Sequence, residues 1–303
     1  MTNHLLHVGF PKAGSKYLQQ WFAAHPQLAY ETDGIAGFRS VYAIAREGAK
    51  SGDRTRYRVT SYEGLAAPHG DAGNVAVDYA SARPTDAATA QRRVCEILSG
   101  LFPRATVLIV TRGFRSMILS SYSQFVRSGG DADLAELVAV MQAGPGSPGY
   151  DHLAGLTPWN YDRVIGAYTA AFGADNVIVM PYELLRDAPD EFTRMLSQRL
   201  GIDPIPGPRD RINESLSAEE MYWYPRLTRL ARKVPSRRLF RLYVTAAFRN
   251  RLRGVVRLLQ RVRPGRAVTA ASIPDAVVEV FRGHAESLRG NPLYERYASD
   301  YLI

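Results

Sequence analysis

Lysine is scarce in this chain. Of 38 basic residues 34 are arginine, and the four lysines stand at positions 12, 16, 50 and 233. Two of them share one turn, Gly9-Phe10-Pro11-Lys12-Ala13-Gly14-Ser15-Lys16-Tyr17. The apolar run Leu5 to Phe10 before it reads as a buried strand, and Lys16 to Ala24 reads as a helix with Leu18, Trp21 and Phe22 on one side. A strand feeding a glycine turn that opens a helix presents unpaired amides and the positive end of the helix dipole, and both favour an anion. Gly14 permits close backbone approach, Lys12 adds a point charge and Ser15 adds a hydroxyl donor. The plain alternative is a strand–helix turn carrying a solvated lysine.

A second set lies in Arg112-Gly-Phe-Arg115-Ser116-Met-Ile-Leu-Ser120. Arg112 follows the continuous apolar strand 105–111, and Ser120 comes about two turns into the helix expected next. A guanidinium fork and a hydroxyl can converge on one anion. The alternative is an arginine paired with a carboxylate and a serine on a solvated face. The ATP/GTP loop G-x-x-x-x-G-K-[ST] is not satisfied, because Gly9 and Gly14 are followed by Ser15-Lys16. A nucleotide triphosphatase also wants an aspartate for magnesium at a neighbouring strand end. The strand 105–111 ends in Thr111-Arg112 instead, which suits a second phosphate.

The elements that must position these residues alternate between strand and helix. After the first strand and helix, residues 30–70 are Gly-interrupted and give no clear order. Further strands are expected at Asn74–Tyr79, Ala105–Thr111 and Asn176–Pro181, with helices over 85–101, from Arg112 through about Val126, and over 160–172 and 190–200. A Gly/Pro-rich connection covers 143–158. From Ser217 the pattern is helical to the end, with breaks at Pro235, Pro264 and Pro274. The fold class expected is α/β: a P-loop-like, doubly wound parallel sheet flanked by helices, with ligands at the carboxyl ends of its strands. Residues 1–215 are expected to form that core. Residues 216–303 are expected to be a helical, strongly basic C-terminal extension packed on the same domain.

Taken together, Pro11-Lys12-Ala13-Gly14-Ser15, the V-T-R-x7-S pattern at 110–120 and Phe172-Gly-Ala-Asp-Asn-Val-Ile-Val-Met-Pro-Tyr-Glu183 resemble the sulfotransferase family that uses 3′-phosphoadenosine 5′-phosphosulfate (PAPS). The resemblance covers roughly residues 4–203, and in style it looks like the bacterial, carbohydrate-type members. It implies a reaction in which PAPS leaves as adenosine 3′,5′-bisphosphate, with no metal. By the same resemblance Lys12 contacts the 5′-phosphosulfate and stabilises charge on the leaving phosphate, while Ala13, Gly14, Ser15 and Lys16 cradle it. Tyr17 stands where the family often has a tryptophan and stacks on adenine. Arg112 and Ser120 hold the 3′-phosphate, and Tyr182 contacts the adenine edge. Lys16 departs from the family pattern, in which a second hydroxyl residue is usual.

Such an enzyme needs a base for the acceptor hydroxyl. The carbohydrate-type members place a carboxylate soon after the first helix, and here Asp33, then Glu31, match that placement. His69, in a Pro-His-Gly turn, echoes the histidine of the small-molecule enzymes, although a solvated histidine is the plain reading. Asp78 resembles the acid of the carbohydrate enzymes' Glu-Lys-Ser segment, where Tyr79 replaces the lysine. The implied acceptor is a hydroxyl on a carbohydrate or glycolipid. A P-loop small-molecule kinase, and a non-catalytic membrane- or glycan-binding protein with a decayed nucleotide site, stand as alternatives.

The chain of 303 residues has a formal net charge of +9 that is local in origin. Residues 226–266 carry 14 basic residues and no acid, which leaves 24 basic against 29 acidic residues elsewhere. Phe248, Leu252, Val255, Leu259 and Val262, with Arg249, Arg253, Arg257 and Arg261 beside them, read as one amphipathic cationic helix. Three readings compete for it: a core-packed helix with solvated arginines, contact with an anionic membrane surface, and capture of a polyanionic acceptor. Nucleic acid is not expected, since no aromatic platform accompanies the arginines. The single Cys95 excludes an intramolecular disulfide framework. With no leader pattern and no spanning apolar run, a cytoplasmic protein is expected, peripheral at the inner membrane face under the second reading.

Overall fold

The structure, a computed structural model, describes residues 3–30, 54–62, 65–66, 87–143, 159–208 and 216–303. Its centre is a five-stranded parallel sheet of β1 (Asn3–His7), β2 (Leu28–Ala29), β3 (Tyr57–Ser61), β4 (Thr106–Thr111) and β5 (Val177–Pro181), in the order β2-β3-β1-β4-β5. β1 therefore has a parallel neighbour on each side, β3 and β4. That position explains its composition: Leu5, Leu6 and His7 are all fully buried. The order reverses direction between β1 and β4, and in an open α/β sheet such a switch point is where ligands bind, at the carboxyl ends of the strands.

Helices flank the sheet as the alternating pattern requires. α1 (Ser15–Ala24) buries Leu18, Trp21 and Phe22 and ends at His25, just before Pro26. α2 (Ala87–Leu101) precedes β4, α3 (Phe114–Arg127) follows it, and α4 (Leu134–Ala143) comes next. α5 (Tyr161–Phe172) starts at Asn160, whose side chain accepts the Arg163 amide at 2.9 Å. α6 (Tyr182–Asp187) follows β5 with no intervening loop. α7 (Pro189–Leu200) has proline at its start and ends on Gly201 in the left-handed conformation (φ 63°).

The chain forms two compact units. The first comprises residues 1–113, 157–212 and 281–303 and contains the whole sheet. Its C-terminal segment, ending in α12 (Ala298–Tyr301), inserts the fully buried rings of Tyr294 and Tyr301. The second comprises residues 114–156 and 213–280 and is helical among its described residues. There α3 and α4 join α8 (Ala218–Arg232), α9 (Arg237–Phe248), α10 (Arg253–Val262) and α11 (Asp275–Glu279).

Within the second unit α8 opens on a capping box, Ser217 with Glu220. Tyr122 of α3 donates to the Met221 carbonyl at 3.2 Å, and Ser123 accepts the Leu216 amide at 3.1 Å. Arg226, Arg229 and Arg232 on α8 pair with Asp133, Glu136 and Asp131. Arg115 donates to the Ile273 carbonyl and pairs with Asp275.

Three sequence expectations change. β2 and β3 arise where no strand was expected, β3 within the stretch 30–70 that gave no clear order, and the expected strand Asn74–Tyr79 lies outside the described residues. α4 and α6 were not expected. The single amphipathic helix over 248–262 is instead two helices, α9 and α10, because Asn250 adopts a left-handed conformation (φ 56°) while its side chain accepts Arg127 Nη2 at 2.7 Å. The inward residue of α10 is Val256, not Val255 or Val262, which are exposed.

Candidate functional site

The turn between β1 and α1 is held by two left-handed residues, Lys12 (φ 68°) and Gly14 (φ 85°). Gly14 adopts this conformation freely, whereas at Lys12 it costs about 1 kcal/mol. The Ala13 amide bonds back to the Phe10 carbonyl at 3.2 Å, and the Leu18 amide reaches the Gly14 carbonyl at 3.2 Å, the first turn of α1. Gly14 is the N-cap and brings no side chain to the first-turn amides. A Cβ at Gly14 would stand 2.5 Å from Leu185 Cδ2 and 3.2 Å from Tyr182 Cδ2, so α6 closes against this turn and admits only glycine. Ala13 and Ser15 are buried, Lys12 and Tyr17 half-buried, and Lys16 exposed. Buried Ser15 Oγ has no hydrogen-bond partner among the described residues.

Beneath the turn lies a polar group that the sequence did not single out. His7 Nδ1 meets Ser61 Oγ at 2.7 Å, and Gln19 Nε2 donates to the same oxygen at 3.3 Å. The ring tautomer of His7 sets which partner donates in the bond between Nδ1 and the Ser61 hydroxyl, an oxygen that can accept from two donors and give one proton. His7 Nε2 is buried and has no partner among the described residues. A Cβ at Gly9 would stand 2.7 Å from His7 Nε2 and 3.1 Å from Ser15 Oγ, so both unsatisfied groups adjoin the same bare backbone. Burial lowers the His7 pKa to about 3, and the ring is neutral.

The carboxyl end of β4 is built by register. Thr111 pairs with Pro181, so the next residues, Arg112 and Tyr182, emerge side by side. The Arg112 guanidinium lies over the Tyr182 ring, 4.4 Å from its centroid, and Nη1 donates to the Lys12 carbonyl at 2.5 Å. One contact thus joins the two sequence motifs. Burial lowers the Arg112 pKa, opposed by the charges of Tyr182 and Glu183.

Its backbone is fixed by buried phenols and one buried acid. Tyr161 donates to the Arg112 carbonyl. Glu183 Oε1 accepts the Gly113 amide at 3.0 Å, and Oε2 accepts the Tyr301 hydroxyl at 2.7 Å. Thr111 donates to Tyr301 at 3.2 Å and lies 2.7 Å from the Tyr294 hydroxyl. Both Glu183 oxygens therefore have protein donors, which makes this carboxylate a brace for the strand end. Burial pushes the Tyr161, Tyr294 and Tyr301 pKa values up, so all three remain hydrogen-bond donors at neutral pH.

The outer side of α1 is tied to the loop after α7. Trp21 Nε1 donates to the Ile205 carbonyl at 3.4 Å, His25 Nε2 to the Asp203 carbonyl at 2.9 Å, and the Asp203 amide to Gln27 Oε1 at 2.7 Å. Tyr17 leans on the same loop: a Cβ at Gly207 would stand 1.7 Å from its hydroxyl.

The structure thus brings Lys12, Ala13, Gly14, Ser15, Lys16, Tyr17, Arg112 and Tyr182 into one unit around three adjacent strand ends, those of β1, β4 and β5. Ser120 is buried on α3, in the second unit. Glu31, Asp33, His69 and Asp78 lie outside the described residues. Reasoning from sequence missed His7, Ser61, Glu183 and the tyrosine brace. Only the Tyr182-Glu183 pair carried a signal for any of them.

The residues present fit an anionic nucleotide. Uncapped first-turn amides, an unsatisfied buried hydroxyl, two lysines and a half-buried arginine supply donors and positive charge suited to an anion. Among the described residues no cluster of His, Cys, Asp and Glu could hold a metal ion, and no helix is long and apolar enough to cross a membrane.

No protein-family model matches the sequence, and no curated protein matches it. Among solved structures the chain is similar to a sulfotransferase from Alicyclobacillus acidocaldarius, with 16% identity over 71% of this chain and 87% of that one and a TM-score of 0.49. It is also similar to mouse sulfotransferase SULT7A1 complexed with PAP, with 14% identity over 86% of this chain and 84% of that one and a TM-score of 0.32. Likeness at this level assigns no role to any residue of the present chain.

Proposed function

We propose that this chain is a PAPS-dependent sulfotransferase acting on a hydroxyl of a carbohydrate or glycolipid. The observation that carries the reading is the contact between Arg112 and the Lys12 carbonyl, which couples an anion-binding turn to a cation at the adjacent strand end. Two anion sites on neighbouring strands suit a nucleotide bearing a 5′-phosphosulfate and a 3′-phosphate. With a cation where a triphosphatase would hold magnesium, and with Glu183 already engaged, Mg-ATP is the poorer occupant.

Bound PAPS would supply the sulfuryl group and the phosphate leaving group. The first-turn amides of α1 and the Ser15 hydroxyl bind the 5′ end, and Lys16 adds positive charge beside it. Lys12 offsets the charge that builds on the departing oxygen, the kind of fixed electrostatic aid that contributes most to such displacements. Arg112 holds the 3′-phosphate. Tyr17 and Tyr182 flank the adenine. Tyr182 already carries Arg112 on its ring, which leaves its edge or opposite face for the base.

Asp33, or failing it Glu31, takes the proton from the acceptor hydroxyl as its oxygen bonds to sulfur. His69 and Asp78 belong to the acceptor side. The resemblance of the segment after α1 to the carbohydrate-type enzymes supports these roles. The test is transfer of labelled sulfate from PAPS into extracted glycan, lipid and small-metabolite fractions. Label in glycan or lipid is expected, label only in small metabolites would redirect the acceptor, and no transfer into any fraction would overturn the reading.

A further inference from the structure

The 14 cations of residues 226–266 divide into two groups. Arg226, Arg229 and Arg232 are spent on Asp133, Glu136 and Asp131, and Arg253 pairs with Glu220. The other ten, Lys233 and the nine arginines of α9, α10 and their flanking turns, make no ion pair or side-chain hydrogen bond among the described residues. Folding thus leaves a surface of one sign, with its internal compensation confined to α8 and the start of α10.

Apolar side chains lie on that same surface. Leu239 is 55% exposed and Leu242 65% on α9, and Leu258 is 62% and Val262 78% on α10. On α10, Val255, Leu258 and Val262 are three and four residues apart and form one outward stripe, with Arg257 and Arg261 alongside. Val256 alone is buried and anchors the helix from the opposite side. On α9, Arg237, Arg238 and Arg241 interleave with Leu239 and Leu242.

An outward apolar stripe edged by unpaired arginines has one occupant that satisfies both features. A polyanionic glycan or nucleic acid would use the arginines and leave the leucines and valines in water. A second copy of this face would bring ten uncompensated cations against ten more. An anionic bilayer takes the arginines at its headgroups and the apolar stripe at the acyl boundary. We propose that the exposed face of α9 and α10 docks this protein on a membrane surface rich in anionic phospholipid. The inference holds whether or not the chain transfers sulfate.

The test is co-sedimentation of the full chain with phosphatidylcholine vesicles, with and without phosphatidylglycerol, at low and high salt. Binding to the phosphatidylglycerol vesicles alone, weakened by salt, is expected. Arg257→Gln/Arg261→Gln should weaken partitioning about fivefold per arginine removed. Leu258→Ser/Val262→Ser, at exposed positions where folding is spared, should weaken it about tenfold or more. Several results would overturn the proposal: equal binding to neutral vesicles, no binding at low salt, or insensitivity to the Leu258/Val262 pair. So would a dimer in solution that this pair abolishes, or retention on DNA or an acidic polysaccharide by protein that ignores vesicles.

Discussion

Arg112, the residue after β4, donates from Nη1 to the carbonyl oxygen of Lys12 at 2.5 Å, across 100 positions of sequence. The bond holds the left-handed Lys12 from the side of the neighbouring strand, so one guanidinium both shapes the turn and carries charge beside it. Arg112→Ala should therefore lower affinity for adenosine 3′,5′-bisphosphate by about 10- to 100-fold, the range for losing a charge-assisted bond. Arg112→Lys should recover only part of it, because the ammonium lacks the planar fork and stacks poorly on Tyr182. Calorimetric titration of the three proteins checks both. Equal affinities would remove Arg112 from the site.

Gly14→Ala would put a methyl group 2.5 Å from Leu185 Cδ2 at a backbone φ of 85°. A loss of about 1–3 kcal/mol in urea unfolding is expected, with nucleotide affinity falling because α6 must retreat from the turn. Wild-type stability in that variant would show that the packing of Tyr182 and Leu185 on the turn is dispensable.

Glu183→Gln should destabilise the first unit by about 2–3 kcal/mol. The carboxylate accepts from the Gly113 amide and the Tyr301 hydroxyl, and an amide side chain can accept at only one of its two ends. Tyr301→Phe removes one of these donors and should cost less. Chemical unfolding of both variants ranks them, and the reverse order would contradict the brace.

Acid should weaken the fold through two strand histidines. Burial lowers His7 to about 3, and burial followed by the Arg58 charge lowers His4 to about 4. Unfolded histidines take up protons below about pH 6.5, so beneath that value the unfolded state binds more protons and stability falls until the folded-state values are reached. Between about pH 8 and pH 5 the loss is on the order of 2 kcal/mol from each histidine. The urea midpoint should drop over this range, and His7→Gln should flatten the profile. A pH-independent midpoint would contradict neutral rings at both His4 and His7.

The chemistry-bearing turn was legible because proline, lysine and glycine at fixed spacing dictate a turn whatever packs around it. β4 and β5 were legible as continuous apolar runs, as buried parallel strands are. β3 was not, although it is β1's partner on one side. Its Arg58, Thr60 and Ser61 interrupt the apolar run, and only the fold reveals that Thr60 and Ser61 are buried against His4 and His7. His7 was hidden for the same reason, as a polar residue in a strand whose partner lies 54 positions away. The break between α9 and α10 left no proline or glycine to mark it. It depends on Asn250 and its tertiary contact with Arg127.

On the function proposed above, the β1 turn and the β4 end hold one nucleotide with phosphates at both its 5′ and 3′ positions. Calorimetric titration of the wild-type chain with adenosine 3′,5′-bisphosphate, adenosine 5′-monophosphate and Mg-ATP decides this. The bisphosphate should bind in the micromolar range, about tenfold or more tighter than the monophosphate, as expected for one added charge-assisted contact. It should need no magnesium. Tighter binding of Mg-ATP, or equal affinity for the monophosphate and the bisphosphate, would contradict it.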